Sequence, residues 1–287
     1  MVTYQSAVSK PERTLINYTT VRAAELKEIY NSLISDRTVQ NIFSDFAHDK
    51  DDNVRNCINF LHGVDLIERD GDDRVISPLN NELFPNMSFE PRLLYHVRQQ
   101  PYPSNHLTRI QNIALETADR SVTLDVLLPK IKDSLSEYDF KWNKKKLEMW
   151  RTFSTQLGLV SQTKTRDVIL SPCRRLLYEL FEHHTRQEDT KDLYNTLSWI
   201  EENFFNVFDT TTGTPRVHPA ISDVLQNMEA ENVLKFRGLS DAKSEVTLPE
   251  SVHTQNSRSV AEYELHPMPD SPKYQYPLTQ FNQVITQ

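Results

Sequence analysis

One order of sequence signals occurs three times along the chain. Each copy has stretches with apolar residues every three or four positions, then a polar turn, then a β-rich run that ends in proline. The β-rich runs close with VISP at 75–78, ILSP at 169–172 and VTLP at 246–249. A pattern that restarts in this way predicts two or three small units, each with its own core.

The first copy contains three predicted helices and a hairpin. The helices cover 21–35, 38–46 and a stretch that Asn53 is predicted to cap and Gly63 to end in the left-handed conformation. The strands are 64–68 and 74–77, on either side of the acidic turn DGDD at 70–73.

The second and third copies repeat the pattern with less regularity. In the second, 122–135 is a predicted helix, Asn143 is predicted to cap the next helix, Gly158 to end it, and residues 159–170 to form the hairpin. In the third, 193–205 and 219–228 are predicted helices, and the runs from Val233 and ending at Pro249 are predicted to pair with each other.

This order of elements resembles the winged-helix branch of the helix-turn-helix proteins. The resemblance covers about two thirds of the chain and rests on the fold pattern, not on a diagnostic motif. Only five glycines occur, which suits helices better than large β-structures or phosphate-binding loops. The expected fold is therefore mainly α with small β-hairpins (α+β), an array of two to three winged-helix units joined by helical spacers.

The predicted segments follow from these copies and from the polar stretches between them. They are an N-terminal arm (1–18), winged-helix unit 1 (19–80), a helical spacer (81–120), winged-helix unit 2 (121–173), a helical connector (174–190), a winged-helix-like unit 3 (191–250) and a proline-containing extended or disordered tail (251–287).

The resemblance implies that the helix before each hairpin enters the major groove of DNA, namely 53–62, 144–157 and 219–228. The net charge of −8 means that any attraction for phosphate has to come from a local basic face. The first copy has Asp51 and Asp52 beside Arg55 and an acidic hairpin tip, which disfavours DNA. The third is mixed in charge. We therefore expect these two copies to contact proteins.

The second copy carries the basic face. Between residues 141 and 166, Glu148 is the sole acidic residue against seven basic residues, which are the candidate DNA-binding set: Lys141, Lys144, Lys145, Lys146, Arg151, Lys164 and Arg166. If about five of them met phosphates, log K would fall against log salt with a slope of about −4 to −5. Arg151 or Lys145 is expected to reach guanine edges. The competing interpretation is that these lysines are only the solvated side of an amphipathic helix, with Trp142 and Trp150 in the core.

Three functions remain open at this point. The first is a non-enzymatic DNA-binding adaptor or regulator, in transcription or antiviral defence, with double-stranded DNA and protein partners and without cofactor or metal. The second is a structural winged-helix subunit of a larger chromosome-organising or defence complex that has no DNA affinity. The third is a metal-dependent nuclease built on Asp139, Lys141 and Asp125. The sequence contains no Walker loop, GxGxxG, HExxH or nucleophile elbow.

The two cysteines, Cys57 and Cys173, lie in apolar runs and are expected to be buried thiols. The chain has no apolar run of about 18 residues and no signal-peptide pattern at its start. A cytoplasmic location without a membrane partner is therefore expected.

Overall fold

The computed structural model describes residues 21–33, 37–46, 51–70, 74–78, 84, 86–101, 105–136, 141–163, 165, 167–209, 215–238, 245–251, 254 and 256–277. These residues are mainly helical, with small antiparallel sheets, as the sequence predicts. The chain divides into two compact units at Leu107. Within the described ranges, no helix is both long enough and apolar enough to cross a membrane.

The described residues of the first unit form four helices and one three-stranded sheet. Its elements are α1 (Ala23–Ser32), β1 (Arg37–Thr38), α2 (Val39–Asp45), α3 (Asp51–Gly63), β2 (Ile67–Asp70), β3 (Arg74–Pro78) and α4 (Phe89–Gln99). An ion pair between Lys27 Nζ and the fully buried Glu90, 2.7 Å long, joins α1 to α4. Helix α4, which the sequence assigns to the spacer, thus completes the core of the first unit.

The second unit begins with the same order of elements. These are α5 (His106–Thr117), β4 (Ser121–Val122), α6 (Leu124–Ser134), α7 (Lys144–Gln156), β5 (Ser161–Gln162) and β6 (Val168–Ile169). Both three-stranded sheets place the last strand in the centre, in the orders β1-β3-β2 and β4-β6-β5. A threonine caps the helix that follows the first strand in each case, Thr38 for α2 and Thr123 for α6.

Helix α5 therefore occupies the position in the second copy that α1 occupies in the first. The sequence analysis placed residues 106–117 in the spacer and took 122–135 as the first helix of the copy, which the structure corrects. The reason is that β4 is only two residues long and pairs with β6, far along the chain, so a local pattern does not reveal it.

The helix before each β-rich run ends in the same way in all three copies. A residue with positive φ follows the helix: Asp65 (59°), Gly158 (74°) and Asn232 (57°). The next residue donates its N–H to a carbonyl five positions earlier: Leu66 to Leu61, Leu159 to Ser154 and Val233 to Met228. This pattern is a Schellman motif, and the buried Leu66, Leu159 and Val233 supply its apolar contact.

These helix ends confirm one glycine prediction and correct another. Gly158 follows the end of α7 as predicted and adopts the left-handed conformation, whereas Gly63, for which that conformation was predicted, is the last residue of α3 and the left-handed residue is Asp65. At the other end of α3, the helix begins at Asp51, so Asn53 lies inside it and is not its cap.

The rest of the second unit differs most from prediction. Its elements are α8 (Arg174–Glu188), α9 (Leu193–Asn203), α10 (Pro219–Ala230), β7 (Leu234–Arg237), β8 (Val246–Leu248), β9 (Arg258–Val260), β10 (Glu262–Leu265) and a 3₁₀ helix (Pro272–Tyr274). Strand β7 pairs with β10 and β8 pairs with β9, so the predicted hairpin between β7 and β8 does not form.

The segment after Glu250 is consequently part of the fold, in contrast to the predicted extended or disordered tail. Val260, Ala261 and Tyr263 are buried, and the Tyr263 hydroxyl lies 2.6 Å from Thr185 Oγ1 and 3.0 Å from Thr196 Oγ1. Further along, Tyr276 donates a hydrogen bond to the buried Glu179. The prolines dominated the sequence pattern here, but the apolar and aromatic residues between them decide the structure. Residues 278–287 lie outside the described residues.

Candidate nucleic-acid interface

The first turn of helix α7 carries three consecutive lysines. Asn143 caps the helix as predicted, because its side-chain oxygen accepts a hydrogen bond from the backbone N–H of Lys146 at 3.0 Å. Lys144, Lys145 and Lys146 are therefore the first three helical residues, and Lys141 precedes them by one turn. We call these four residues the α7 basic surface.

The dipole of helix α7 disfavours the positive charges of the α7 basic surface. The N-terminus of a helix carries the positive end of its dipole, and cations there are unfavourable by about 0.3–1 kcal/mol each. Mutual repulsion between neighbouring ammonium groups adds to this cost. Lys141, Lys144 and Lys145 are exposed, and Lys146 is half-buried, so burial lowers the pKa of Lys146. The arrangement favours an anionic ligand.

An ion pair joins this surface to helix α6. Lys144 Nζ lies 2.9 Å and 3.2 Å from the two carboxylate oxygens of Asp125, in the first turn of α6. The side chains are 57% and 75% exposed, so the pair contributes about 0–1 kcal/mol to stability. Asp125 also belongs to the nuclease alternative, and here its carboxylate contacts an ammonium group.

Arg151 does not belong to the exposed surface. Arg151 is 9% exposed and lies on the side of α7 that contains Leu147, Trp150 and Ser154. The spacing explains this, because positions 147, 150, 151 and 154 share one face of a helix. This burial disfavours the predicted contact of Arg151 with guanine edges. Lys145 and the exposed Thr152 lie two turns apart on the opposite, solvent-facing side.

The hairpin that follows α7 is held by its own side chains. Thr163 and Asp167 exchange hydrogen bonds at the tip, the Thr163 N–H to the Asp167 carbonyl and the Asp167 N–H to Thr163 Oγ1, each at 3.0 Å. Thr165 Oγ1 donates to the Asp167 carboxylate at 2.8 Å. The two basic residues predicted for this tip, Lys164 and Arg166, lie outside the described residues. Trp142 and Trp150 are buried, as predicted for core residues.

The equivalent helices of the other copies offer less to DNA. In the first, the exposed Arg55 lies over the ring of Phe43 at 5.7 Å. In the third, α10 is buried along most of its length and is tied to its surroundings. Asp223 is paired with Arg120, Gln226 donates to the Pro249 carbonyl, and Glu229 is paired with Arg258. The position of α10 in the core prevents it from entering a groove.

A cavity of about 120 Å³ lies elsewhere in the second unit, lined among others by Asn112, Glu116, Asp119, Asp209 and His218. His218 is 5% exposed, and burial lowers its pKa. Both ring nitrogens are engaged, Nδ1 accepting from the Ala220 N–H and Nε2 lying 3.0 Å from the Leu115 carbonyl. This histidine caps α10 and has no ring nitrogen left for acid–base chemistry in the cavity.

The described part of the chain contains no group of three or more His, Cys, Asp or Glu side chains able to hold a metal ion. Asp139, the other carboxylate of the nuclease alternative, lies outside that part. Cys57 is buried as expected, while Cys173 is only half-buried. No protein-family model, curated protein or solved structure matches the chain.

Proposed function

We propose that this chain is a non-enzymatic, tandem winged-helix protein that binds double-stranded DNA through the α7 basic surface. The winged-helix assignment is supported by the shared element order, the shared sheet order and the Schellman motif that ends α3, α7 and α10. In this proposal the first unit and the third copy contact protein partners, and the protein acts as an adaptor or regulator.

The observation that carries the proposal is the run of lysines in the first turn of α7. In helix-turn-helix proteins, the N-terminal residues of the recognition helix face the DNA. Here that end combines exposed ammonium groups with a capped helix, and α7 precedes a hydrogen-bonded hairpin in the position of a wing. Residues 121–173 contain nine basic and six acidic residues, although the whole chain has a net charge of −8. The charge of this segment is thus opposite to that of the protein.

The number of phosphate contacts determines the expected salt dependence. Arg151 is buried and Asp125 holds Lys144, so the expected slope is worked out for three phosphate contacts, at Lys141, Lys145 and Lys146. Three contacts give a slope of log K against log salt of about −2.7, or about a fortyfold loss of affinity between 50 and 200 mM salt. This slope is smaller than the one expected from sequence alone.

The test is a titration of the full chain with duplex DNA of mixed sequence over that salt range. The double variant Lys145→Ala, Lys146→Ala is expected to reduce the slope to about −0.9. The matched control is Lys130→Ala, Lys132→Ala, which removes two exposed lysines from α6 and should leave the slope unchanged.

Equal effects of the two double variants would mean that only the overall charge matters, and would contradict the assignment to α7. No binding of the wild-type protein at low salt would favour the alternative, a structural winged-helix subunit of a larger complex. The net charge of −8 is the observation that favours this alternative.

A further inference from the structure

The carboxylate of Asp125 lies beside the Lys144 ammonium group, with its two oxygens 2.9 Å and 3.2 Å from Nζ. The two side chains come from the first turns of different helices, α6 and α7. Both oxygens of Asp125 lie within hydrogen-bond distance of the Lys144 ammonium group. A carboxylate and a phosphate present the same feature to a lysine, namely anionic oxygens at about 2.7–2.9 Å.

The helix environment of each residue explains why this pair forms. Asp125 follows the Thr123 cap of α6, where the helix dipole stabilises a carboxylate. Lys144 occupies the first position of α7, where the dipole and the adjacent lysines make a cation unfavourable. Each side chain is exposed to solvent, so a ligand can reach the pair from outside.

We infer that Asp125 acts as an internal phosphate mimic that masks Lys144 and lowers the affinity of the α7 basic surface for DNA. This inference rests on the proposed function. When Asp125 holds Lys144, a phosphate at this position meets a neutral pair and a nearby negative charge. Removing the carboxylate charge releases Lys144 as one additional phosphate contact. In this way a single carboxylate limits non-specific attachment to nucleic acid.

The expected gain follows from counterion release. One additional contact makes the salt slope more negative by about 0.9, and raises the affinity by up to about eightfold at 0.1 M salt. Asp125→Asn should therefore change the slope from about −2.7 to about −3.6. The effect has to depend on Lys144, which distinguishes masking from a general reduction in negative charge.

The experiment is a double-mutant cycle in the full chain, measured by titration with duplex DNA at several salt concentrations. The four proteins are wild type, Asp125→Asn, Lys144→Ala and the double variant. Asp125→Asn is expected to bind more tightly than wild type, and Lys144→Ala to bind more weakly because it leaves the Asp125 charge uncompensated. The double variant, which removes both charges, is expected to bind about like wild type. Asp133→Asn is the matched control, because Asp133 is an exposed carboxylate at the other end of α6.

The outcomes separate the two proposals. If wild type binds and Asp125→Asn leaves its affinity unchanged, masking is overturned and DNA binding stands. A gain that persists in the double variant, or that Asp133→Asn reproduces, also overturns masking, since the effect is then one of general charge. If neither wild type nor Asp125→Asn binds at about 20 mM salt, where three contacts should be strong, the DNA proposal itself fails.

Discussion

Replacement of Gly158 by alanine tests the local geometry that joins α7 to its hairpin. Gly158 has φ of 74°, a conformation that an alanine side chain disfavours. A Cβ atom built at this position lies 2.4 Å from the Cys173 sulfur, where an ordinary contact is about 3.5–4.0 Å. The backbone holds both residues in place, because the Cys173 N–H donates to the Gly158 carbonyl at 2.7 Å.

Two separate costs contribute to the expected loss of stability. The left-handed conformation costs an alanine about 1–2 kcal/mol, and inserting an extra methyl group into a packed site costs about 1–3 kcal/mol. Gly158→Ala should therefore reduce the free energy of unfolding by about 3 kcal/mol, which lowers Tm by about 6–12 °C in a unit of this size.

The assay is thermal and urea unfolding followed by circular dichroism, with a second substitution that separates the two costs. Cys173→Ala removes the sulfur and leaves the Cβ of residue 173 at 3.4 Å, so the double variant should recover about 1–3 kcal/mol relative to additivity. Gly238→Ala is the matched control, because its Cβ would meet its nearest neighbour, the Ser259 carbonyl oxygen, at 3.5 Å. A loss below about 0.5 kcal/mol for Gly158→Ala, or no recovery with Cys173→Ala, would refute the described packing.

Two further predictions concern residues of the second unit. Arg151→Ala should lower the free energy of unfolding by about 1–3 kcal/mol, because Arg151 is packed into the unit. The same substitution should leave the salt slope of DNA binding unchanged. A flatter slope at unchanged stability would instead indicate that Arg151 contacts DNA. Burial lowers the pKa of His218, so its stabilising effect is present above its unfolded pKa of about 6.5 and is lost as the pH falls towards its folded pKa. Urea unfolding at about pH 7 and pH 5 should show this loss, and His218→Asn, which retains a helix-capping side chain, should reduce it; an equal pH dependence in the variant would contradict the assignment.

Much of the α7 basic surface could be predicted from the local sequence. The Asn143 cap, the three lysines of the first turn and the end of the helix at Gly158 could all be predicted from the sequence, because each depends on neighbours within one or two helical turns. The burial of Arg151 was also present in the spacing of apolar residues, since Leu147 and Ser154 share its helix face. The apolar residues on this face, and not the charge of Arg151, decide where its side chain lies.

No pattern in the neighbouring sequence predicts the pairing of Lys144 with Asp125. The two residues lie on different helices, and their contact depends on how α6 packs against α7. The same holds for α10, whose residues Asp223, Gln226 and Glu229 contact Arg120, Pro249 and Arg258, all distant along the chain. A pattern of apolar residues indicates which face of a helix is buried, but not what covers the remaining faces.

The sequence by itself determined most of the helices and the hairpin strands of the first two copies, because helix periodicity, capping residues and turn residues act over a few neighbouring positions. Only the tertiary structure decided which strands pair. Strands β7 and β8 were both visible in the sequence, yet they pair with β10 and β9, not with each other. Backbone hydrogen bonds are the same for any partner strand, so the choice depends on which pairing buries residues such as Val260 and Tyr263, and that is a property of the folded chain as a whole.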